Sequence, residues 1–281
     1  MFTPNDIAYY YNTTLNHYEW WWNLRKSLSV HYGIWENGIN SFAESLVNTN
    51  RVLAELSAIS ENDHVLDAGC GVGGSAIYLA STQHARVTGI TLSQKQVDYA
   101  TATAQKRELH NQVSFQIMDY TKTSFENESF DIIWACESVC HAKDKSEFIR
   151  EAWRLLKKEG RLIMSDYFLT NESQQDKNNW VKKWQKTWGM NDLVTNEYFV
   201  HELQNAGFTV KENLDYTDKV RKSARRLYNA TILGALPSEL YNLTHPNVTR
   251  FAKTHYRSGY YQWKALKEGL WRYGIIFAAK T

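Results

Sequence analysis

Short apolar runs alternate with segments of helical periodicity through most of the chain. Each run has the length of a strand, and the segment after it repeats its apolar residues every three or four positions. Parallel strands need such helical crossovers, so the pattern predicts an α/β fold with a mainly parallel sheet of seven strands. Strands are predicted at 64–67, 86–91, 113–118, 130–135, 161–166, 208–215 and 271–279. Helices are predicted at 41–57, 74–82, 93–109, 145–156 and 196–205, with a turn at 158–160 before the fifth strand.

The segment before the first strand is dense in aromatic side chains. We predict a helical lid at 1–57 over a domain that spans 58–281, with Gly33 and Gly38 as hinge positions. In this interpretation the Tyr18 hydroxyl meets a polar cofactor, and Trp35 lines an apolar or cationic pocket. The alternative is a helix that packs its rings on the core.

Two insertions that a minimal sheet does not need run from about 167 to 195 and from about 218 to 268. Trp180, Trp184 and Trp188 recur every four residues in the first insertion, so they share one helix face. Ligands of open α/β sheets bind at the carboxyl ends of the strands, where these insertions are expected to lie. We therefore predict that Trp184, Trp188 and Tyr228 wall an acceptor pocket, although a core stripe is the alternative.

The net charge, the apolar runs and the cysteines indicate the partners and the location of the protein. A net charge of +2 gives no general attraction to nucleic acid or membrane. No apolar run approaches the roughly 18 residues of a spanning helix, and the first residues lack the pattern of a signal peptide. Three cysteines cannot all pair with one another, which favours a reducing compartment. We expect a cytoplasmic monomer or homo-oligomer without a nucleic-acid partner or stable membrane insertion. The basic run at 219–226 is interpreted as a solvated face, with a phosphate-binding patch as the alternative.

The clearest chemical signal is the turn after the first predicted strand, where Asp67 precedes Gly69, Gly71 and Gly73. Glycines at this spacing permit positive φ angles and let a ligand approach bare backbone. The amides at the start of the next helix suit polar or anionic groups. The spacing differs from that of dinucleotide enzymes, and no phosphate-loop lysine follows the last glycine.

The sequence D-x-G-x-G-x-G at a strand end resembles motif I of class I S-adenosylmethionine (SAM)-dependent methyltransferases. The resemblance implies a Rossmann-like fold and SAM as cofactor, with S-adenosylhomocysteine as product. In place of the usual acid, Thr91, Ser93 or Gln96 would hydrogen-bond the ribose, and Leu92 is a further predicted cofactor contact. Asp119 and Tyr120 are predicted beside the adenine. Cys136 and Tyr18 complete the predicted cofactor contacts.

A second motif, W-x-x-E-S-x-x-H-x-x-D-K from Trp134 to Lys145, resembles the tocopherol C-methyltransferase branch. That branch is related to sterol C-methyltransferases and cyclopropane fatty acid synthases. Thr91-Leu92-Ser93, the H-x-G segment from His31 and Arg272-Tyr273-Gly274 fit the same branch. The resemblance implies methyl transfer to a small, largely apolar acceptor: an isoprenoid, phenolic or alkaloid-like carbon or nitrogen nucleophile.

Glu137 and His141 are the predicted catalytic residues, because the loop after the fourth strand lies nearest the expected methyl group. In-line displacement mainly needs alignment and exclusion of water, with a base where the nucleophile carries a proton. As alternatives, Glu137 holds the cofactor or the lid, and His141 caps a helix. Cys136, Cys140 and His141 lack the usual zinc spacing, so no metal is expected. A protein or nucleic-acid methyltransferase and a non-catalytic SAM-binding module are the rival functions.

Overall fold

The fold was examined in a computed structural model that describes residues 1–22 and 24–281. The side chains of Trp20 and Trp21, which belong to the predicted lid, lie outside the described part.

The described residues form a sheet of seven strands in the order β3-β2-β1-β4-β5-β7-β6. Strands β1 to β5 pair in parallel, whereas β7 runs antiparallel to both of its neighbours. The α/β class, the number of strands and the mainly parallel pairing are therefore confirmed. The strands are β1 His64–Ala68, β2 Arg86–Thr91, β3 Val113–Ile117, β4 Phe130–Cys136, β5 Leu156–Leu169, β6 Phe208–Asp215 and β7 Trp271–Lys280.

Helices cover both faces of the sheet and build a cap at one end of it. They are α1 Pro4–Trp21, α2 Leu24–Ser27, α3 Phe42–Leu56, α4 Gly74–Gln83, α5 Gln94–Lys106, α6 Lys145–Leu155, α7 Trp180–Trp188, α8 Asn196–Asn205, α9 Thr217–Thr244, α10 Arg250–Thr254 and α11 Ser258–Lys267. Short 3₁₀ turns lie at Val139–His141 and His255–Arg257. None of the described helices is both long enough and apolar enough to cross a membrane.

Local capping explains where several of these helices begin. Thr3 and Asp6 form a capping box at the start of α1, where Pro4 occupies the first turn. The hydroxyls of Ser41 and Ser93 accept backbone amides of the first turns of α3 and α5. The starts of α3 and α5 agree with the predicted starts to within one residue.

The turn predicted at 158–160 is not separate from the fifth strand. β5 begins at Leu156, which pairs with Phe130, and the pairing resumes at Arg161 opposite Ile132. The register shift leaves Glu159 with a φ angle of 64°. This predicted turn is therefore corrected to an irregularity inside a longer strand.

The order of the strands reverses at β1, which lies between β2 and β4. Connections from β1 and from β4 leave toward opposite sides of the sheet there, so a crevice opens at the carboxyl ends of these strands. The loops after β1, β2 and β4 therefore converge on one place. This is where the sequence analysis puts the cofactor.

Candidate active site

The loop after β1 carries the predicted glycine turn. Gly69 and Gly71 have positive φ angles of 95° and 52°, a region in which a side chain is strained. A Cβ atom on Gly69 would lie 2.4 Å from the Cβ atom of Ser138. The turn therefore packs on the segment after β4, and α4 begins beside it, where the amides of a first helical turn have no intrahelical partners.

A cavity lies over this turn, and together with the open solvent at its mouth it has a volume of about 790 Å³. The strand ends form one side of it, and the N-terminal segment, including Ile7, Tyr11 and residues 28–31, forms the other. The cavity is lined by ten residues that the sequence analysis assigns to the site: Asp67, Gly69, Gly71, Thr91, Leu92, Gln96, Tyr120, Cys136, Glu137 and His141. Predicted cofactor-binding and catalytic residues are thus brought together.

Three side chains that line the cavity hold a buried polar atom without a hydrogen-bond partner among the described residues. These atoms are Oδ2 of Asp67, Nε2 of Gln96 and Nε2 of His31. The three residues are at most 5% exposed, so solvent does not compensate. A buried polar group without a partner costs about 1–3 kcal/mol. The cavity is therefore chemically incomplete by itself and suits a ligand with polar groups facing these atoms.

The electrostatic state of Asp67 fits the same interpretation. Burial raises the pKa of Asp67 to about 7, against a backbone hydrogen bond at Ala76 that lowers it. A cationic ligand group beside the carboxylate would return the pKa toward its usual range. At the end of β2, Thr91 donates to Oε1 of Gln96 at 2.6 Å, which fixes the amide so that its NH₂ group stays free.

Glu137 follows β4 in a left-handed conformation with a φ angle of 50°. Its carboxylate accepts from the backbone amide of Tyr32 at 2.7 Å, from the Tyr273 hydroxyl at 2.8 Å and from the Tyr167 hydroxyl. Burial raises its pKa to about 8, although these donors act in the opposite direction. Because both oxygens already accept, Glu137 ties the segment that carries Tyr32 to the sheet. This arrangement favours the lid-holding alternative over a general base.

His141 is held in one tautomer by its neighbours. Its Nδ1 atom lies 2.9 Å from the carbonyl oxygen of Gly189, which can only accept, so Nδ1 carries the proton. Its Nε2 atom then accepts from the Tyr11 hydroxyl at 2.8 Å. Burial lowers the pKa of His141 to about 4, so the imidazole is neutral at pH 7. Tyr11 and His141 therefore present a hydroxyl backed by a neutral base to the cavity.

Residues 66–164, from β1 into β5, match the family model described as "Methyltransferase domain". The O-methyltransferase resE of Aspergillus sclerotiorum is 31% identical over 196 residues, which are 68% of this chain and 73% of the relative. The chain belongs to the class I SAM-dependent methyltransferases.

The matches to two other curated relatives cover only part of each relative. The 27-O-demethylrifamycin SV methyltransferase of Amycolatopsis mediterranei is 33% identical over 59% of this chain and 60% of the relative. The sterol 24-C-methyltransferase erg6 of Aspergillus fumigatus is 29% identical over 75% of this chain and 55% of the relative. The chain thus spans little more than half the length of these two relatives. The sterol relative agrees with the branch that the second motif predicts.

A solved structure extends the likeness to almost the whole chain. The geranyl diphosphate C-methyltransferase of Streptomyces coelicolor, crystallised with Mg²⁺, geranyl diphosphate and S-adenosyl-L-homocysteine, has a TM-score of 0.75 at 20% identity. The match covers 99% of this chain and 97% of the other chain. It confirms the predicted Rossmann-like fold, including the helical additions around the sheet.

Three predicted cofactor residues lie outside the cavity of this methyltransferase-family chain. A Cβ atom on Gly73 would meet a phenyl ring of β3 at 2.7 Å, so this glycine serves close packing. The Asp119 carboxylate accepts from the backbone amide and hydroxyl of Thr121 at 2.9 and 2.8 Å. The Tyr18 hydroxyl is hydrogen-bonded to that of Tyr10 at 2.9 Å. Direct contacts of these residues with a cofactor stay predictions.

The four predicted acceptor-binding residues also lie away from this cavity. Trp184 is fully buried, and it packs with Trp188 against aromatic rings of β5 and β7. The Trp35 indole donates to the Ser223 hydroxyl at 3.0 Å. Tyr228 stacks on a tyrosine of α11 with ring centroids 5.9 Å apart. The geometry favours the core alternative for Trp184, and an acceptor contact stays a prediction for all four.

His31 and Tyr11 have no predicted catalytic role, yet both line the cavity. The Nδ1 atom of His31 lies 2.9 Å from the carbonyl oxygen of Tyr32, which can only accept, so Nδ1 carries the proton. The lone pair of Nε2 has no hydrogen-bond partner among the described residues. Burial lowers the pKa of His31 to about 4. The H-x-G segment named His31 only through a resemblance, and Tyr11 was one of many N-terminal aromatics. In the described part of the chain no three His, Cys, Asp or Glu residues are grouped to hold a metal ion.

Proposed function

We propose that the chain transfers a methyl group from SAM to a small, largely apolar acceptor. The observation that carries the proposal is the set of unpartnered polar atoms on Asp67, Gln96 and His31 in one cavity above the glycine turn. Core packing leaves no reason to bury three such atoms together, whereas a polar cofactor would give Asp67 and Gln96 partners and an acceptor beside it would give His31 one. Membership of the methyltransferase family supports the choice of SAM.

The residues fit the chemical parts of SAM one by one. The Asp67 carboxylate would accept from the ammonium group, and binding would keep this carboxylate ionised despite its burial. The Thr91 and Gln96 pair would bind the ribose hydroxyls. Leu92 and Met118, which line the same cavity, offer apolar surface to the adenine.

The acceptor would enter between the strand ends and the N-terminal segment. Ile7, Leu28 and Val30 give that side of the cavity an apolar surface, as pockets for small apolar ligands have. The named substrates of two relatives, a rifamycin and a sterol, are consistent with an apolar acceptor. Oxygen, carbon and nitrogen nucleophiles are all compatible with this surface.

SAM supplies an electrophilic methyl group on a positively charged sulfur. The contribution of the chain is to align the acceptor, to exclude water with the buried aromatic lid, and to receive a proton where the nucleophile carries one. His31 Nε2 and the Tyr11–His141 pair are the two groups in the cavity with basic atoms available. We propose His31 as the proton acceptor, since its lone pair is unoccupied.

Calorimetry with SAM and S-adenosylhomocysteine tests the cofactor assignment. Asp67→Asn should weaken SAM binding, because the amide cannot stay charged beside the ammonium. It should weaken S-adenosylhomocysteine similarly, because both ligands carry that ammonium. Absence of SAM binding by the folded wild type would refute the proposal. The pKa of Asp67 adds a direction: SAM affinity should fall as the pH drops below about 7.

Incorporation of labelled methyl groups from SAM into pools of isoprenoid, phenolic and alkaloid acceptors tests the reaction. His31→Gln should lower turnover more than it changes the KM for SAM if His31 receives the proton. Tight SAM binding without turnover on any pool would favour the non-catalytic module. Transfer to protein or nucleic acid, but not to small molecules, would favour the other rival.

We also propose a reducing, cytoplasmic compartment. Cys70, Cys136 and Cys140 are all unpaired thiols in the structure. Cell fractionation tests this location. Recovery of the protein only outside the cytoplasmic fraction would contradict it.

A further inference from the structure

Helix α9 exposes a row of large aliphatic side chains along its second half. The leucine row consists of Ile232, Leu233, Leu236, Leu240 and Leu243, each between 51% and 78% exposed. Their spacing of three and four residues puts them on one face of the helix. Five contiguous aliphatic side chains at this exposure are far more than the scattered apolar residues of an ordinary surface.

The opposite face of α9 already makes the packing contacts of the fold. Ala224, Thr231 and Gly234 are buried there, and α11 approaches so closely that a Cβ atom on Gly259 would lie 2.4 Å from the Leu227 carbonyl oxygen. The leucine row is therefore not needed to hold α9 in place. Its exposure calls for a different explanation.

Charge is unevenly distributed around this row. Residues 217–257 contain eight lysines and arginines and two acidic residues, whereas the rest of the chain contains 24 and 28. The segment therefore carries a net charge of +6, and the remainder carries −4. Six positive charges beside an apolar row attract an anionic surface over about one Debye length, roughly 8 Å at physiological salt.

Basic side chains of α9 lie over the ring faces of aromatic residues next to the helix. The Lys222 ammonium lies 5.0 Å from the Trp35 ring centroid, and the Arg226 guanidinium lies 4.6 Å from that of Phe42. Both pairs line a wide surface groove beside Leu233. Aromatic rings with basic neighbours, flanking an aliphatic row, are the composition of helices that lie in a membrane interface.

We propose that the leucine row docks α9 on an anionic lipid surface. The aliphatic side chains enter the boundary between headgroups and acyl chains, and the cations of 217–257 face the phosphates. A second copy of the chain fits this face less well, because two segments of charge +6 would meet. A nucleic acid would leave the leucines in water. The proposal does not depend on the proposed methyl transfer.

Flotation of the full chain with vesicles tests the proposal. The chain should float with phosphatidylcholine vesicles that contain phosphatidylglycerol, and much less with phosphatidylcholine alone. Leu233→Asp combined with Leu236→Asp should lower the partition coefficient at least about tenfold, since both apolar insertion and charge attraction are weakened. Ile117→Asp is the matched control, because Ile117 is 50% exposed on the opposite edge of the sheet and should leave flotation unchanged.

A charge variant gives an independent readout should the leucine variant fail to fold. Lys219→Glu with Arg225→Glu, two exposed positions, should lower binding to anionic vesicles and weaken its dependence on salt. Equal flotation of wild type and both variants would overturn the proposal. So would a wild type that floats with neither vesicle, or a dimer in light scattering that the leucine variant dissociates without any vesicle binding. Binding of wild type to DNA but not to vesicles would also overturn it.

Discussion

The glycine turn and the tryptophan row of α7 were both predicted to line the site, and both are buried, yet their surroundings differ. Asp67 and Gln96, beside the turn, keep unpartnered polar atoms, and both residues line the cavity. Trp184 also keeps an unpartnered atom, its Nε1, but rings of β5 and β7 surround it at centroid distances of 5.0 Å. Burial and an unpaired polar atom therefore indicate a ligand site only where a cavity adjoins them.

Gly71→Val should have the largest effect on this comparison. A valine side chain would project into the cavity between Val30, 3.4 Å from the added Cβ atom, and Gln96, and it would be strained at a φ angle of 52°. We expect SAM binding to be lost in calorimetry while the sheet stays folded. Gly269→Val is the matched control, since Gly269 has a φ angle of 68° and open space around its Cβ position. Equal SAM affinity in wild type and Gly71→Val would remove the turn from the site.

Trp184→Ala tests the tryptophan row of α7, and it should lower stability rather than ligand binding. Removal of a fully buried indole costs about 3–5 kcal/mol of unfolding free energy. Denaturant unfolding should show this loss, and the SAM affinity of the folded variant should be unchanged. An unchanged unfolding free energy with weakened acceptor binding would instead restore the predicted pocket wall and place the acceptor near α7.

The sequence was most informative where local chemistry and topology agree. The strands, the glycine turn and Glu137 follow from short patterns, because crossover units force strand ends to one edge of the sheet. The spacing that placed Trp184 on one helix face says nothing about which layer covers that face. A helical aromatic stripe is compatible with core and with pocket, and only the packing of β5 and β7 decides between them.

The role of the N-terminal segment depends on contacts between residues far apart in the chain. Tyr32 and Glu137 are joined by a hydrogen bond over 105 positions, and Tyr11 and His141 over 130. No local pattern encodes such pairs. Asp119 shows a different limit, because a residue two positions later, Thr121, supplies a partner for its carboxylate, and Asp119 does not line the cavity although it follows a strand end.

Glu137→Gln sharpens the distinction between a base and a tether. Because the folded pKa is raised from 4.5 to about 8, the contribution of Glu137 to stability is full below pH 4.5 and is lost as the pH rises through 8. Glutamine does not titrate, so the stability of the wild type relative to the variant should be greatest below pH 4.5 and should fall steadily as the pH rises to 8.5. At pH 5 the variant should be less stable by about 1–3 kcal/mol, since an amide NH₂ faces one of the three donors. A difference that is constant with pH would contradict the raised pKa.

Asp119→Ala and Gln96→Ala give the smallest expected effects and compare two positions within the same strand-end region. Gln96 has an unpartnered NH₂ group and lines the cavity, whereas Oδ1 of Asp119 accepts from its own turn and Asp119 does not line the cavity. One hydrogen bond contributes about 0.5–1.5 kcal/mol, so Gln96→Ala should weaken SAM binding about two- to tenfold. The predicted adenine contact of Asp119 would fall to its other oxygen, Oδ2, outside the cavity lining, so Asp119→Ala should raise the KM for SAM by less than Gln96→Ala does. Calorimetry on both variants decides this, with turnover as the second readout. A larger loss of affinity in Asp119→Ala would mean that Asp119 contacts the bound cofactor and that the cavity extends to this carboxylate when SAM binds.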